Sequence, residues 1–190
     1  MTKAVVLAAG KGVRMRPLTL DRPKPLLEIN GKAIIDYVLE ALPEEINEVI
    51  IAVNYKGEQI KKHIGKENRG KKIKYVQGSD MGNVYSFLAT GKYLKNERFL
   101  LVYGDEIPNP INVKKCLEKD LSILTFDGGT WDGIMVLNTD IFMYKPTDEM
   151  FRSLVQKFLN DHDVEFIEDK NFVGGLNTPA DLKRVQKLYG

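Results

Sequence analysis

"KAVVLAAGKGVRMRPLTLDRPKPLL" (residues 3–27) opens the chain with two unlike halves. Residues 3–9 are an unbroken apolar run, the pattern of a strand buried on both faces of a parallel sheet. The second half mixes Gly10 and Gly12 with Lys11, Arg14, Arg16, Arg22 and Lys24, and adds Pro17, Pro23 and Pro25. Glycine lets backbone amides approach a ligand closely. Arginine and lysine favour an anion, and proline fixes the path of the chain. The combination predicts a phosphate-gripping loop outside the carboxyl end of the first strand, the edge where open α/β sheets bind ligands.

Two familiar phosphate loops do not fit. The G-x-x-x-x-G-K-[ST] loop has no match here. The dinucleotide fingerprint G-x-G-x-x-G begins correctly at Gly10-Lys11-Gly12, but Met15 stands at its third glycine. Pro17, Pro23 and Pro25 then forbid the helix that must follow it. What remains is a long, open, basic loop.

The rest of the first half alternates strand and helix. Residues 33–43 place Ile34, Ile35, Val38, Leu39 and Leu42 on one helical face, and 48–54 read as a second buried strand. A short polar helix over 56–64, a strand over 72–77, a helix over 83–94 and a strand over 98–105 follow. The second half is less regular: a helix around Cys116, a strand over 121–126, a loop over 127–133, and one or two strands over 134–146. A helix over 147–161 precedes the strand-like "VEFIED", and "NTPADLKRVQKLYG" closes as a helix capped by Thr178, Pro179 and Asp181. Absence of a linker, repeat or low-complexity tract predicts one domain over 1–190. Its expected fold is a three-layer α/β/α, Rossmann-like arrangement around a mostly parallel, mixed sheet.

Composition narrows the function classes. A net charge of +2 is too small to argue for nucleic acid, and Lys61, Lys62, Lys71 and Lys72 are expected on a solvated surface near a hairpin. The single cysteine, Cys116, excludes an internal disulfide and sits in an amphipathic helical pattern. No apolar run approaches the ~20 residues that span a bilayer. The chain enters a strand directly after Met1, so a cytoplasmic protein without membrane or nucleic-acid partners is expected. His63 and His162 are expected at the surface, and "DHD" (161–163) is expected in a loop after a helix.

At Gly10-Lys11-Gly12-Val13-Arg14-Met15-Arg16-Pro17-Leu18-Thr19, followed by Pro23-Lys24-Pro25-Leu26, the chain resembles the sugar-phosphate nucleotidyltransferases. These join a nucleoside triphosphate to a sugar 1-phosphate or a related phosphomonoester. Val13 stands where the family usually has threonine. The resemblance continues through "GKAIIDYVLEAL", "VIIAVNYKGEQI", "YVQGSDMGN", "LLVYGDE" and "NTPADL". "NTDIFMY" resembles the Asn-x-Gly-Ile-Tyr strand, with Asp140 in place of the glycine.

The resemblance implies roles for individual residues. The segment Leu7, Ala8, Ala9, Gly10, Lys11 and Gly12 would hold the triphosphate, with Arg14 and Lys24 as the neutralising cations. Gln77 and Gly82 would meet the base, a pairing that suits pyrimidines and is compatible with guanine. Asp105 would hold Mg²⁺, a hard cation that prefers carboxylate oxygen. Asn138 and Asn177 are the candidates on the acceptor side.

Two family features are missing. Relatives carry a second metal-binding aspartate where this chain has Gly174-Gly175-Leu176-Asn177, leaving Asn177, Asp169 or Glu168 as replacements. Relatives also carry a Glu-Lys-Pro lysine for the acceptor phosphate, yet there is no lysine between Leu121 and Asn138. Short of the family's C-terminal β-helix, the chain leaves association into a homo-oligomer open. Rival readings are a non-catalytic nucleotide-binding homologue and a cytidylyltransferase for a small phospho-alcohol, suggested by "GNVYSF". A glycosyltransferase of the same broad fold is a third.

Overall fold

The computed structural model describes residues 3–170 and 175–189. Eight strands form one sheet in the order β10-β8-β9-β7-β1-β4-β6-β5. Its centre is parallel: β1 (Lys3–Ala8) lies between β4 (Glu48–Val53) and β7 (Arg98–Tyr103), and β6 (Lys71–Gln77) continues beyond β4. β5 (Glu67–Asn68) adds an antiparallel edge to β6. On the other side, β9 (Thr130–Asn138) runs antiparallel to both β7 and β8 (Ser122–Phe126), and β10 (Glu165–Glu168) is parallel to β8. β2 (Glu28–Ile29) and β3 (Lys32–Ala33) form a separate small hairpin.

The central strands are apolar on both faces because both faces are covered. Ala4, Val6 and Ala8 point into one core with Ile35, Val38 and Leu39 of α1 (Ile34–Ala41). Ile60 of α2 (Gly57–Ile64) and Val113 of α4 (Pro110–Leu117) join them. Val5 and Leu7 point into the opposite core with Val84 and Phe87 of α3 (Asn83–Leu88) and Phe151, Leu154 and Phe158 of α5 (Phe151–Asp161). This is the expected three-layer fold.

A third, smaller core matters more for the site. Leu182 and Val185 of α6 (Pro179–Leu188) pack on Met15, Leu27 and Ile29, so the last helix lies under the basic N-terminal loop. α6 begins with a complete capping box: Thr178 accepts from the Asp181 amide while Asp181 accepts from the Thr178 amide. That bonding, first from the Thr178 side chain and then from backbone amides, holds the Asp181 carboxyl below its ordinary range.

Several expectations are corrected. The helix over 83–94 ends at Leu88, and a 3₁₀ turn at Gly91–Tyr93 replaces its second half. The loop over 127–133 shrinks to the turn at Asp127-Gly128-Gly129, where all three residues have positive φ. Thr130 already belongs to β9. Lys71 is buried rather than solvated, because its ammonium donates to the carbonyls of Pro43 and Ile46, each at 2.7 Å. His162 is half-buried, its ring stacked on Phe158 with centroids 3.9 Å apart.

Candidate active site

The carboxyl ends of β1, β4, β6 and β7 share one edge of the sheet, and a cavity of about 620 Å³ opens there. Its floor is Leu7, Ala8 and Ala9, where β1 ends, and its rim is Gly10 to Arg14. Gly12 has φ +59°, a left-handed conformation that turns the loop into the 3₁₀ segment Val13–Met15. A side chain at Gly12 would also press on Lys24 Cβ and Thr19 Cγ2, both at 3.1 Å. Thr19 completes this turn by donating from Oγ1 to the Gly12 carbonyl at 2.8 Å. Met15 points down into the α6 core and anchors the loop from below.

Charge is concentrated at one end of the cavity. Lys24, in the proline-flanked 3₁₀ turn Lys24–Leu26, is buried, and its ammonium lies 2.6 Å from Asp105 Oδ2. Asp105 follows β7 and its side chain keeps about a third of its surface exposed. Glu106, the next residue, also lines the cavity and accepts from the Gly133 amide. Arg14 reaches in from the loop, its Nη2 donating to Asn177 Oδ1 at 2.8 Å. Beneath the carboxylates lies Tyr103. Burial, then the charges of Glu106 and Asp105, push its phenol above the ordinary tyrosine range, so it stays protonated.

The opposite end is lined by Ser79, Asp80, Gly82, Asn83 and Ser86, which follow β6 and begin α3. Asp80 Oδ1 accepts from Asn54 Nδ2 at 3.0 Å and lies 3.2 Å from the Lys11 ammonium. Gln77 lies outside this lining. It borders an adjoining hollow with Asn54 and Lys56, and its amide nitrogen donates to Asn54 Oδ1 at 2.9 Å.

Of the residues singled out from sequence, Leu7 to Gly12, Arg14, Lys24, Gly82, Asp105 and Asn177 line one cavity. Asn138 is not brought to it. It pairs with Arg98 at the far end of β7 and caps the 3₁₀ segment Thr139–Met143. Five residues of strand separate that position from Tyr103, a distance of ~16 Å. Gly133, whose amide donates to Glu106, precedes Ile134 in β9 and so places a Gly-Ile step nearer the cavity than Asn138 is. A side chain at Gly133 would collide with Glu106 and come within 2.8 Å of Tyr103 Cγ. Asp169 and Glu168 do not line the cavity either, whereas Glu106 does. Its signal, the tripeptide Gly104-Asp105-Glu106, is local in sequence.

Among the described residues there is no ready-made group of three or more His, Cys, Asp and Glu side chains for a metal ion. One or two carboxylates completed by ligand phosphates are, however, the ordinary donor set of Mg²⁺. Asp105 and Glu106 beside the cationic loop fit that requirement.

The fold, the loop and the carboxylates can be set against known proteins. Residues 3–168 match the family described as nucleotidyl transferase. The chain belongs to this family. Over 108 residues it is 39% identical to UTP–glucose-1-phosphate uridylyltransferase AglF of Haloferax volcanii, covering 56% of this chain and 44% of that protein. A second relative, "Probable glucose-1-phosphate cytidylyltransferase" of Bacillus subtilis, is 28% identical over 244 aligned positions and covers 98% of this chain and 96% of its own length. The first curated relatives are matched over less than half of their length. UDP-glucose pyrophosphorylase from Acinetobacter baumanii shares the fold, with a TM-score of 0.85 at 12% identity over 100% of this chain and 93% of that one.

Proposed function

We propose that this nucleotidyl transferase family member transfers a nucleotidyl group from a nucleoside triphosphate to the phosphate of a sugar 1-phosphate or similar phosphomonoester. An oxygen of the acceptor phosphate forms a bond to the α-phosphorus. The bond from that phosphorus to the bridging oxygen breaks, and pyrophosphate leaves with the electron pair. The nucleophile is already an anion, so the reaction needs charge stabilisation and in-line positioning rather than a strong base. The observation that carries the reading is the convergence of Arg14, Lys24, Asp105 and the Gly10–Gly12 backbone on one cavity.

Each group has a task that its setting suits. The loop amides bind phosphate oxygens without needing to be ordered first, because Met15 and Thr19 already hold the loop. Arg14 offers a planar fork of donors, and Asn177 aims it. Lys24 has little freedom of its own, being buried and tethered to Asp105. Mg²⁺, held by Asp105 with Glu106 adjacent, would supply further neutralisation of phosphate charge. Tyr103 remains a neutral donor beneath these groups.

The acceptor is a sugar phosphate on the strength of the relatives' names. A pyrophosphate-release assay over a grid of nucleoside triphosphates and sugar 1-phosphates, with Mg²⁺, tests the proposal. Turnover with at least one pair, lost in both Arg14→Ala and Asp105→Ala, is expected. Triphosphate binding without turnover for any pair would refute transfer and favour a nucleotide-binding role.

A further inference from the structure

The end of the cavity away from Arg14 and Lys24 carries a polarity that the hydrogen bonds fix. Asp80 is a carboxylate and only accepts, so Asn54 must turn its Nδ2 toward it, as it does at 3.0 Å. Asn54 then presents Oδ1 to Gln77, which must answer with Nε2, as it does at 2.9 Å. The second Nε2 hydrogen of Gln77 reaches the Gly78 carbonyl at 3.4 Å, and Asp80 Oδ2 has no hydrogen-bond partner among the described residues. The other tie on Asp80 is the Lys11 ion pair, in which both side chains are more than half exposed. Such a pair contributes little and yields readily to a ligand.

The position of this acceptor wall follows from the sheet. Asp105 follows β7, the glycine loop follows β1, Asn54 follows β4, and Asp80 follows β6. Three strand spacings of ~4.8 Å separate β7 from β6, or ~14 Å. A triphosphate seated at Arg14 and Lys24 can therefore reach Asp80 with its base.

We propose that Asp80, with Asn54 and Gln77 behind it, selects a donor nucleotide whose base bears an exocyclic amino group, and disfavours uracil and thymine. The inference rests on the triphosphate reading above. Guanine suits the wall best, since its adjacent N1–H and N2–H₂ can both donate to one carboxylate. Cytosine and adenine offer one amino group each. Uracil and thymine offer a single N–H between two carbonyls, and one of those carbonyls would face the Asp80 carboxylate.

Binding of GTP, CTP, ATP, UTP and dTTP to the full chain, measured by titration calorimetry with Mg²⁺ and no acceptor, tests this. The amino-bearing bases, GTP foremost, should bind at least about 10-fold more tightly than UTP and dTTP, the discrimination expected of a paired hydrogen-bonding contact. In Asp80→Asn that gap should fall below about 3-fold. In Asn54→Ala, which removes the hydrogen bond that holds Asp80, the gap should narrow as well. UTP or dTTP binding most tightly, or selectivity unchanged in Asp80→Asn, would overturn the proposal. Selective binding by a protein that turns over no substrate pair would uphold it and refute transfer alone. Failure of every triphosphate to bind would overturn both.

Discussion

Removing Asp105 should destabilise this protein more than removing Lys24, although the two form one ion pair. The charges lie 2.6 Å apart. At an effective dielectric constant of about 20, that separation corresponds to an attraction of about 6 kcal/mol before desolvation is subtracted. The desolvation is uneven: the Lys24 side chain is 7% exposed and that of Asp105 is 32% exposed. Asp105→Ala strands a cation that water barely reaches, whereas Lys24→Met leaves a carboxylate that water still hydrates. Breaking a fully buried pair costs about 3–5 kcal/mol. With one partner a third exposed, we expect about 2–4 kcal/mol for Asp105→Ala and about 1 kcal/mol for Lys24→Met. Urea denaturation at pH 7 without nucleotide or metal measures both through the midpoint at constant slope. The double variant Lys24→Met/Asp105→Ala should be more stable than Asp105→Ala alone, because it removes the stranded charge. A Lys24→Met cost equal to or above that of Asp105→Ala, or a double variant less stable than Asp105→Ala, would refute the reasoning.

Further outcomes follow from other positions. Gly133→Ala should cost about 1–3 kcal/mol in urea, since its new methyl group meets Glu106 and the base of the Tyr103 side chain. Gly10→Ala, where a methyl group meets nothing within 4 Å, should change stability by less than about 0.5 kcal/mol yet weaken triphosphate binding in calorimetry. Burial lowers the Lys71 pKa in the fold, only partly opposed by Glu44 and Glu45, so the folded state releases this proton before the unfolded chain does. Stability relative to Lys71→Met should therefore be flat below the lowered folded value and rise with pH toward the unfolded value of ~10.4. Urea midpoints of both proteins from pH 7 to 10 would show it, and a difference that falls with pH would contradict it. Thr178→Ala should cost about 1 kcal/mol of stability by thermal melting, the usual value of an N-cap.

The gathering of residues 7–14 and Lys24 at one cavity was legible because its information is local. Strand, glycine, cation and proline follow one another within residues 3–27, and each residue type constrains the backbone where it stands. The three-layer fold was legible for the same reason, through apolar runs that only a doubly covered sheet explains. Contacts between distant residues were not. Nothing near Lys24 announces that Asp105, 81 residues on, will meet it, and nothing near Gln77 reveals that Asn54 takes its amide. Asn138 lies outside the cavity, and a glycine inside a strand imitates a loop in sequence. Gly133 reads as part of a turn, but in β9 it is the point where the strand passes Glu106 and Tyr103. Lys71 was misjudged because composition counts its charge and misses the two carbonyls that receive it.

The packing of α6 beneath the basic loop sets an order of assembly during synthesis. The loop leaves the ribosome first, but Met15, Leu27 and Ile29 find their covering only when Leu182 and Val185 emerge. Arg14 likewise waits 163 residues for Asn177. The basic loop thus gains its apolar covering only after α6 has been made. Stalled chains ending at residue 170 should leave Met15 open to oxidation, and chains extended past Tyr189 should protect it. Equal oxidation of the two would show that the loop closes without its helix.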